Sequence, residues 1–266
     1  MTLNENDAEK SPDFVQSLAR GLEVIRCFDR EYPSMSLTEV AERTGLAKAV
    51  VRRFLMTLEQ LGYVGRTGRN FYLTPRVLEL GYAYLSGLDI SEAAMPLMRQ
   101  LSEKLGQSVS VSVLDGDEIV YVLRVPVRRI MTVALGVGAR LPAWYSSMGR
   151  VLLADLTKDE LQQRFASFQP QQFTSHTSAP DLLPELISQV KEQGYAIVEQ
   201  ELEPGLGSVA VPIHNDKGKV VAALNIGTAW QHDFARIACE HYIPELLKTA
   251  RDIERVTRHQ RWGFGL

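Results

Sequence analysis

Five cations, Lys48, Arg52, Arg53, Arg66 and Arg69, carry the clearest chemical signal in this chain. Lys48, Arg52 and Arg53 sit in a segment whose apolar residues Val51, Phe54, Leu55, Leu58 and Leu61 fall on one helical face. Ala49, Met56 and Gln60 share the opposite face with the two arginines. A helix that buries one side and points Lys and Arg outward from its first turns suits the major groove of duplex DNA. Arg66 and Arg69 lie at or beside the tip of a glycine-containing turn between two short strands, 63–66 and 71–73. From Arg43 to Arg76 there are seven basic residues against one acid, Glu59, whereas the whole chain has 29 basic and 32 acidic residues and a net charge of −3. A small cationic island on an acidic chain is the footprint of phosphate binding.

The elements that must position these cations are legible around them. Ser36 and Glu39 form a capping box for a helix that ends at Gly45. A second helix over 47–61 stops at Gly62. A preceding helix over 14–28 places Val15, Leu18, Leu22, Ile25 and Phe28 on one side, ready to pack behind the other two. Helix, turn, helix and basic hairpin make a winged helix-turn-helix over 14–74, behind a polar tail at 1–13 that is expected to be disordered. Pro75 fits the first turn of a further helix. Leu78, Tyr82 and Leu85, spaced i, i+4, i+7, give that helix an apolar stripe, and 75–88 is read as a linker between domains.

The remainder, 89–258, reads as an α+β domain, followed by a tail at 259–266. A helix over 90–105 contains Pro96. Val109, Val111 and Val113 then alternate with Ser108, Ser110 and Ser112, the pattern of a half-buried strand. Asp115-Gly116-Asp117 turns the chain into a hairpin partner at 119–125, and a third strand is expected at 130–135. A loop over 141–150 leads into a helix at 149–156, and Thr157 with Glu160 caps the next. A helix over 182–193 precedes three strands near 195–200, 207–213 and 220–226, and one long helix spans 234–257. Helices before, between and after hairpins imply a mostly antiparallel sheet covered by helices.

Composition is that of an ordinary globular protein, 45% hydrophobic and 23% charged. Cys27 and Cys239 form no close-spaced motif, which points to a reducing compartment. With no signal-like start and no bilayer-length apolar run, a cytoplasmic location without membrane attachment is expected.

Three motifs carry a resemblance: GLAKAVVRRFLMTLEQLGYV at 45–64, LPAWYSSMGRVLLA at 141–154, and GYAIVEQELEPGLGSVAVPIHNDKGKVVAALNIG at 194–227. In this order and spacing they resemble the IclR family of winged-helix transcription regulators. The resemblance covers nearly everything from Phe14 to Arg258. It implies a GAF- or PAS-like effector domain with a small-molecule pocket on one side of its sheet. It further implies an operator DNA partner, a homodimer or homotetramer, RNA polymerase as a further partner, and no cofactor. AWYSSMGR, VEQELEPGLGSVAVP and AALNIG look most like the branch that controls aromatic-acid catabolism, whose members sense protocatechuate, 4-hydroxybenzoate or β-ketoadipate.

Departures from the family pattern are informative. Many members carry Ser or Thr after the lysine of the recognition helix; Ala49 removes that hydroxyl and shifts the readout onto Arg52 and Arg53. Members that bind small oxoacids such as glyoxylate use an Asp, a Cys and two serines at the positions occupied here by Val198, Ser208, Asn225 and Gly227. A larger, less polar ligand is implied. Its expected site comprises Trp144, Tyr145, Ser146, Ser147, Met148, Gly149 and Arg150 with Val198, Ser208, Asn225 and Gly227. Arg150, Arg140 and Arg124 are the candidates for its carboxylate.

Competing readings are an IclR-type regulator with an unrelated effector, an interaction module with a vestigial pocket, and a small-molecule enzyme fused to a DNA-binding module. The enzyme reading lacks a constellation. Cys239 and His241 lie two apart on a helix and diverge, and His232 adds no metal-ligand spacing. Gly136-Val137-Gly138 and Gly205-Leu206-Gly207 read as turns rather than as a dinucleotide fingerprint.

Overall fold

The computed structural model describes residues 13–87, 90–127 and 135–258. The terminal tails at 1–12 and 259–266, and most of the strand expected at 130–135, lie outside the described residues. The chain divides into two compact units, 1–84 and 85–266.

The first unit contains α1 (Gln16–Arg26), β1 (Ser34–Ser36), α2 (Leu37–Thr44), α3 (Lys48–Gln60), β2 (Val64–Thr67) and β3 (Asn70–Leu73). The capping box forms: Ser36 Oγ accepts from Glu39 N–H, and the Glu39 carboxylate accepts from Ser36 N–H. Gly45 ends α2 at φ 66°, in the left-handed region that a Cβ would penalise. Val24, Met35, Val40, Val51, Leu55 and Phe71 close the core. Leu61, assigned to the buried face of α3, is instead 52% exposed, because it caps the helix beyond the last packed turn. The hairpin gains a third strand that the sequence did not announce: β1 pairs with β3, placing Met35 opposite Phe71. A three-residue strand is too short to show alternation.

After a 3-10 turn at Pro75–Val77 comes α4 (Leu78–Ser86). Its expected stripe splits. Leu78 and Tyr82 are 73% and 70% exposed, while Leu85 packs against the core of the second unit.

The second unit comprises α5 (Ile90–Leu105), β4 (Ser108–Asp115), β5 (Glu118–Val125), β6 (Arg140–Pro142), α6 (Ser147–Ala154), α7 (Lys158–Ser167), α8 (Leu183–Gln193), β7 (Ala196–Glu199), β8 (Leu206–His214), β9 (Val220–Ala229), α9 (Phe234–Ile237) and α10 (Ile243–Val256). The strands form one antiparallel sheet in the order β6-β5-β4-β9-β8-β7. α5 runs unbroken through Pro96. The helix expected at 149–156 begins two residues earlier, with Ser146 as its N-cap. The single helix expected at 234–257 is interrupted by a π-helical turn at Ala238–Tyr242. Pro244, in the first turn of α10, supplies no N–H to continue the ladder from the preceding turn.

β4 departs from its half-buried expectation: Ser108 through Val113 are all buried. It is a central strand with both faces covered. Val109, Val111 and Val113 join the core under α5 and α10. The serines point to the other face, where α6 lies against Ala196, Ala210 and Ala223 of neighbouring strands. Those alanines let α6 approach the sheet, and Ser108 lines the space left beside it.

Candidate functional site

Lys48, Ala49, Arg52 and Arg53 are all exposed, on the face of α3 opposite Val51, Leu55 and Leu58. Arg66 and Arg69 are exposed on the hairpin; Arg66 donates to the Gly68 carbonyl at 3.0 Å and lies over the Phe71 ring. None of Lys48, Arg52, Arg53, Arg66 and Arg69 makes an ion pair among the described residues. The other two cations of the island hold the unit together. Arg43 pairs with Asp29 at 2.6 Å and covers Tyr32. Arg76 donates to the Leu61 carbonyl at 2.6 Å, satisfying an orphan acceptor at the end of α3. Within 43–76, the cations that make no ion pair among the described residues thus lie on one helix face and one hairpin.

The second unit contains a cavity of about 600 Å³, counting its opening to solvent. Tyr145, Ser146, Ser147, Met148, Val198, Ser208, Asn225 and Gly227 line it, as do Ser108, Tyr121, Arg124, Leu135, Leu141, Glu201, Leu202 and Leu206. Strand register explains the convergence. Val198 pairs with Ser208, Ser208 with Gly227 and Gly227 with Ser108, forming one row across four strands. The next row runs Arg124, Ser110, Asn225 and Ala210. α6 and the turn before it cover these rows, so residues distant in sequence face one another. Gly227 leaves open the space that a side chain would fill.

The polar groups form a partial network. Ser147 Oγ lies 2.6 Å from Ser208 Oγ, which accepts from Asn225 Nδ2 at 3.1 Å. Arg124 donates to Ser110 Oγ at 3.1 Å. Arg124 Nε, Asn225 Oδ1 and Ser112 Oγ are buried without a hydrogen-bond partner among the described residues. Burial pushes the Tyr121 phenol up to about 12, so it remains a neutral hydroxyl.

Three expected site residues lie outside the cavity lining. Trp144 is fully buried against Phe165 and Phe168. Gly149 permits helix packing: a Cβ there would stand 2.1 Å from the Ala143 carbonyl oxygen. Arg150 is committed to Glu201 at 2.8 Å, with both side chains almost wholly buried, and to the Trp144 carbonyl at 3.0 Å. Burial lowers the Arg150 pKa and Glu201 opposes that shift. Glu201 also accepts from Ser178 N–H, so its carboxylate is satisfied. Arg140 faces away, paired with Asp115 and Glu118. Of the three candidate arginines, Arg124 is the one at the cavity. Sequence reasoning did not select Ser108, Tyr121, Glu201, Leu202 or Leu206. The serine side of β4 was the available signal for Ser108.

A winged helix-turn-helix with a basic face that makes no ion pair among the described residues, carried on the same chain as a sheet domain with a largely apolar cavity, defines a DNA-binding regulator with a sensor domain. Two family models match. The IclR helix-turn-helix domain covers residues 17–68 and the bacterial transcriptional regulator IclR C-terminal domain covers 82–255. The chain belongs to the IclR family of transcriptional regulators.

It is 40% identical to the Pca regulon regulatory protein of Pseudomonas putida, over 95% of this chain and 86% of that protein. It is 30% identical to the p-hydroxybenzoate hydroxylase transcriptional activator of Acinetobacter baylyi, over 93% of each. The solved structure of a transcriptional regulator from Rhodococcus sp. RHA1 is 50% identical, with a TM-score of 0.77, covering 91% of this chain and 98% of that one. No helix among the described residues is long and apolar enough to cross a membrane.

Proposed function

We propose that this regulator changes its hold on operator DNA when an aromatic or β-keto carboxylic acid enters the cavity of the second unit. The observation that carries the reading is Arg124, a cation at a largely apolar cavity whose polar groups are incompletely paired among the described residues. Buried polar atoms without partners favour a ligand that supplies them. Tyr145, Met148, Val198 and the leucines form walls for a ring or chain, and Ser147, Ser208 and Asn225 orient it. The relatives named for the Pca regulon and for p-hydroxybenzoate hydroxylase support the acid class.

On the DNA side, Arg52 and Arg53 read base edges, Lys48 contacts phosphate, and Arg66 and Arg69 reach the backbone or minor groove. The exposed Leu78 and Tyr82 support a dimer, which would present two recognition helices to a palindrome. A cytoplasmic protein acting without cofactor fits this role. Catalysis is the competing reading, and among the described residues no set at the cavity favours it.

The test is a thermal-shift panel of aromatic and β-keto acids on the full chain, followed by operator titration with each acid that binds. An acid at a hundred times its Kd should stabilise the protein by about 2.7 kcal/mol. It should also shift operator affinity. An acid that is turned over would support the enzyme reading instead, and a panel without any stabilisation would remove the acid class.

A further inference from the structure

We propose that Thr74 and Arg76 are positioning residues for operator reading. They clamp the end of the recognition helix α3 to the root of α4, and so fix how two recognition helices are spaced on DNA. The proposal rests on reading Leu78 and Tyr82 of α4 as a contact between two copies of the chain.

The first support is where the carbonyls beyond α3 go. Gly62, at φ 81°, closes α3 in a Schellman turn: Tyr63 N–H donates to the Leu58 carbonyl and Gly62 N–H to the Glu59 carbonyl. The next three carbonyls, of Leu61, Gly62 and Tyr63, all accept from the segment that opens the linker. Arg76 Nη1 donates to Leu61 at 2.6 Å, the Thr74 hydroxyl donates to Gly62, and Thr74 N–H donates to Tyr63 at 2.9 Å. Gly62 also leaves room for the guanidinium, since a Cβ there would stand 2.9 Å from Arg76 Nη1.

The second support is that the same two residues start the linker. Thr74 caps the 3-10 turn Pro75–Val77, its hydroxyl oxygen accepting from Arg76 N–H at 3.3 Å. Arg76 Nε lies 3.7 Å from the Glu79 carboxylate in the first turn of α4. Packing does not set the direction of α4, because Leu78 through Tyr84 are all exposed. Its direction relative to α3 is therefore set at its root, by Thr74 and Arg76. α3 itself is seated by Val51, Leu55 and Leu58, so a loosened junction leaves its reading face formed. What loosens is the geometry between that face and the side of α4 that meets a second copy. The spacing of an operator's half-sites mirrors this geometry.

Operator titration with the full chain tests this. The probe is a palindromic duplex selected by wild type from a randomised pool, compared with the same duplex carrying one extra base pair between its half-sites. The insertion should weaken wild-type binding by about tenfold or more. In Thr74→Val and Arg76→Met it should weaken binding by less than about threefold, while Thr74→Ser, which keeps the hydroxyl, should behave as wild type. Arg76→Met should also leave the salt slope unchanged; a slope reduced by about one would make Arg76 a phosphate contact and overturn its positioning role. Variants as sensitive to the insertion as wild type overturn the proposal and leave the dimer intact. A selection that yields no palindrome, or a wild type indifferent to the insertion, overturns the dimer reading and the proposal with it. If one variant fails to fold, the other decides; failure of both makes the junction a stability element and overturns the positioning role.

Discussion

The two units handle charge in opposite ways. On α3 and its hairpin, Lys48, Arg52, Arg53, Arg66 and Arg69 stand in solvent without ion pairs among the described residues. In the second unit, Arg150 and Glu201 are buried and mutually paired, and Arg124 borders a cavity with one nitrogen unsatisfied among the described residues. A surface that meets a polyanion can keep its charges hydrated until contact, with counter-ion release contributing to binding. A cavity that selects a small acid must desolvate its polar groups in advance, so each needs a partner in the protein or in the ligand.

That contrast can be broken or sharpened by substitution. The largest effect is expected at the buried ion pair. Arg150→Met leaves Glu201 charged and unpartnered and should destabilise the second unit by about 3–5 kcal/mol in urea unfolding. The double variant Arg150→Met, Glu201→Leu should recover most of the loss. If the single variant is as stable as wild type, the pair does not carry the role assigned to it. Next comes Gly149→Ala, whose methyl meets backbone rather than a movable side chain. A cost of about 1–3 kcal/mol is expected, and an unchanged melting temperature would mean α6 is less tightly seated than described.

On the exposed side, the same substitutions should hardly touch stability. Arg52→Ala or Arg53→Ala should weaken operator binding by roughly 1–3 kcal/mol and relax specificity at one position. Lys48→Ala should weaken all sequences alike and reduce the salt slope by about one. Unaltered affinity and preference in both arginine variants would mean the recognition surface lies elsewhere.

The smallest effect concerns His214 and Glu254, 2.7 Å apart and partly exposed. The hydrogen bond to Glu254 raises the His214 pKa. Burial raises the Glu254 pKa, but the bonds from His214 outweigh it and the net shift is downward. The histidine's contribution is therefore fully present below its unfolded pKa, near 6.5, and is lost as pH rises through the higher folded value. The glutamate's contribution is present above about 4.5 and is lost as pH falls through its lowered folded value. His214→Gln should cost about 0.5 kcal/mol near pH 5.5, after solvent screening, and less at pH 8. A cost that grows with pH would reverse the assignment.

The contrast also explains what the sequence reveals. The DNA-reading unit is announced by local signals: a capping box four residues long, a glycine stop and a 3.6-residue period mark the helices that carry Lys48, Arg52 and Arg53. The cavity is non-local. Val198, Ser208, Gly227 and Ser108 meet only because four strands share a register. The sequence singles out 144–150 as one stretch, but its division between cavity lining and packing is not legible there. Tyr145, Ser146, Ser147 and Met148 face the cavity, whereas Trp144, Gly149 and Arg150 turn into the core. Spacing within a helix cannot show which face meets the sheet. The Arg150–Glu201 pair joins residues 51 positions apart, a separation at which no periodicity signals contact.

The central claim is that Arg124 holds the effector's carboxylate in the sheet-side cavity. Calorimetric titration of 4-hydroxybenzoate into wild type and into Arg124→Gln, each shown to be folded by its melting transition, tests it most directly. Losing a charge-assisted hydrogen bond to the carboxylate should weaken binding by on the order of a hundredfold. An Arg124→Gln variant that binds the acid as tightly as wild type would place the carboxylate elsewhere and contradict the account.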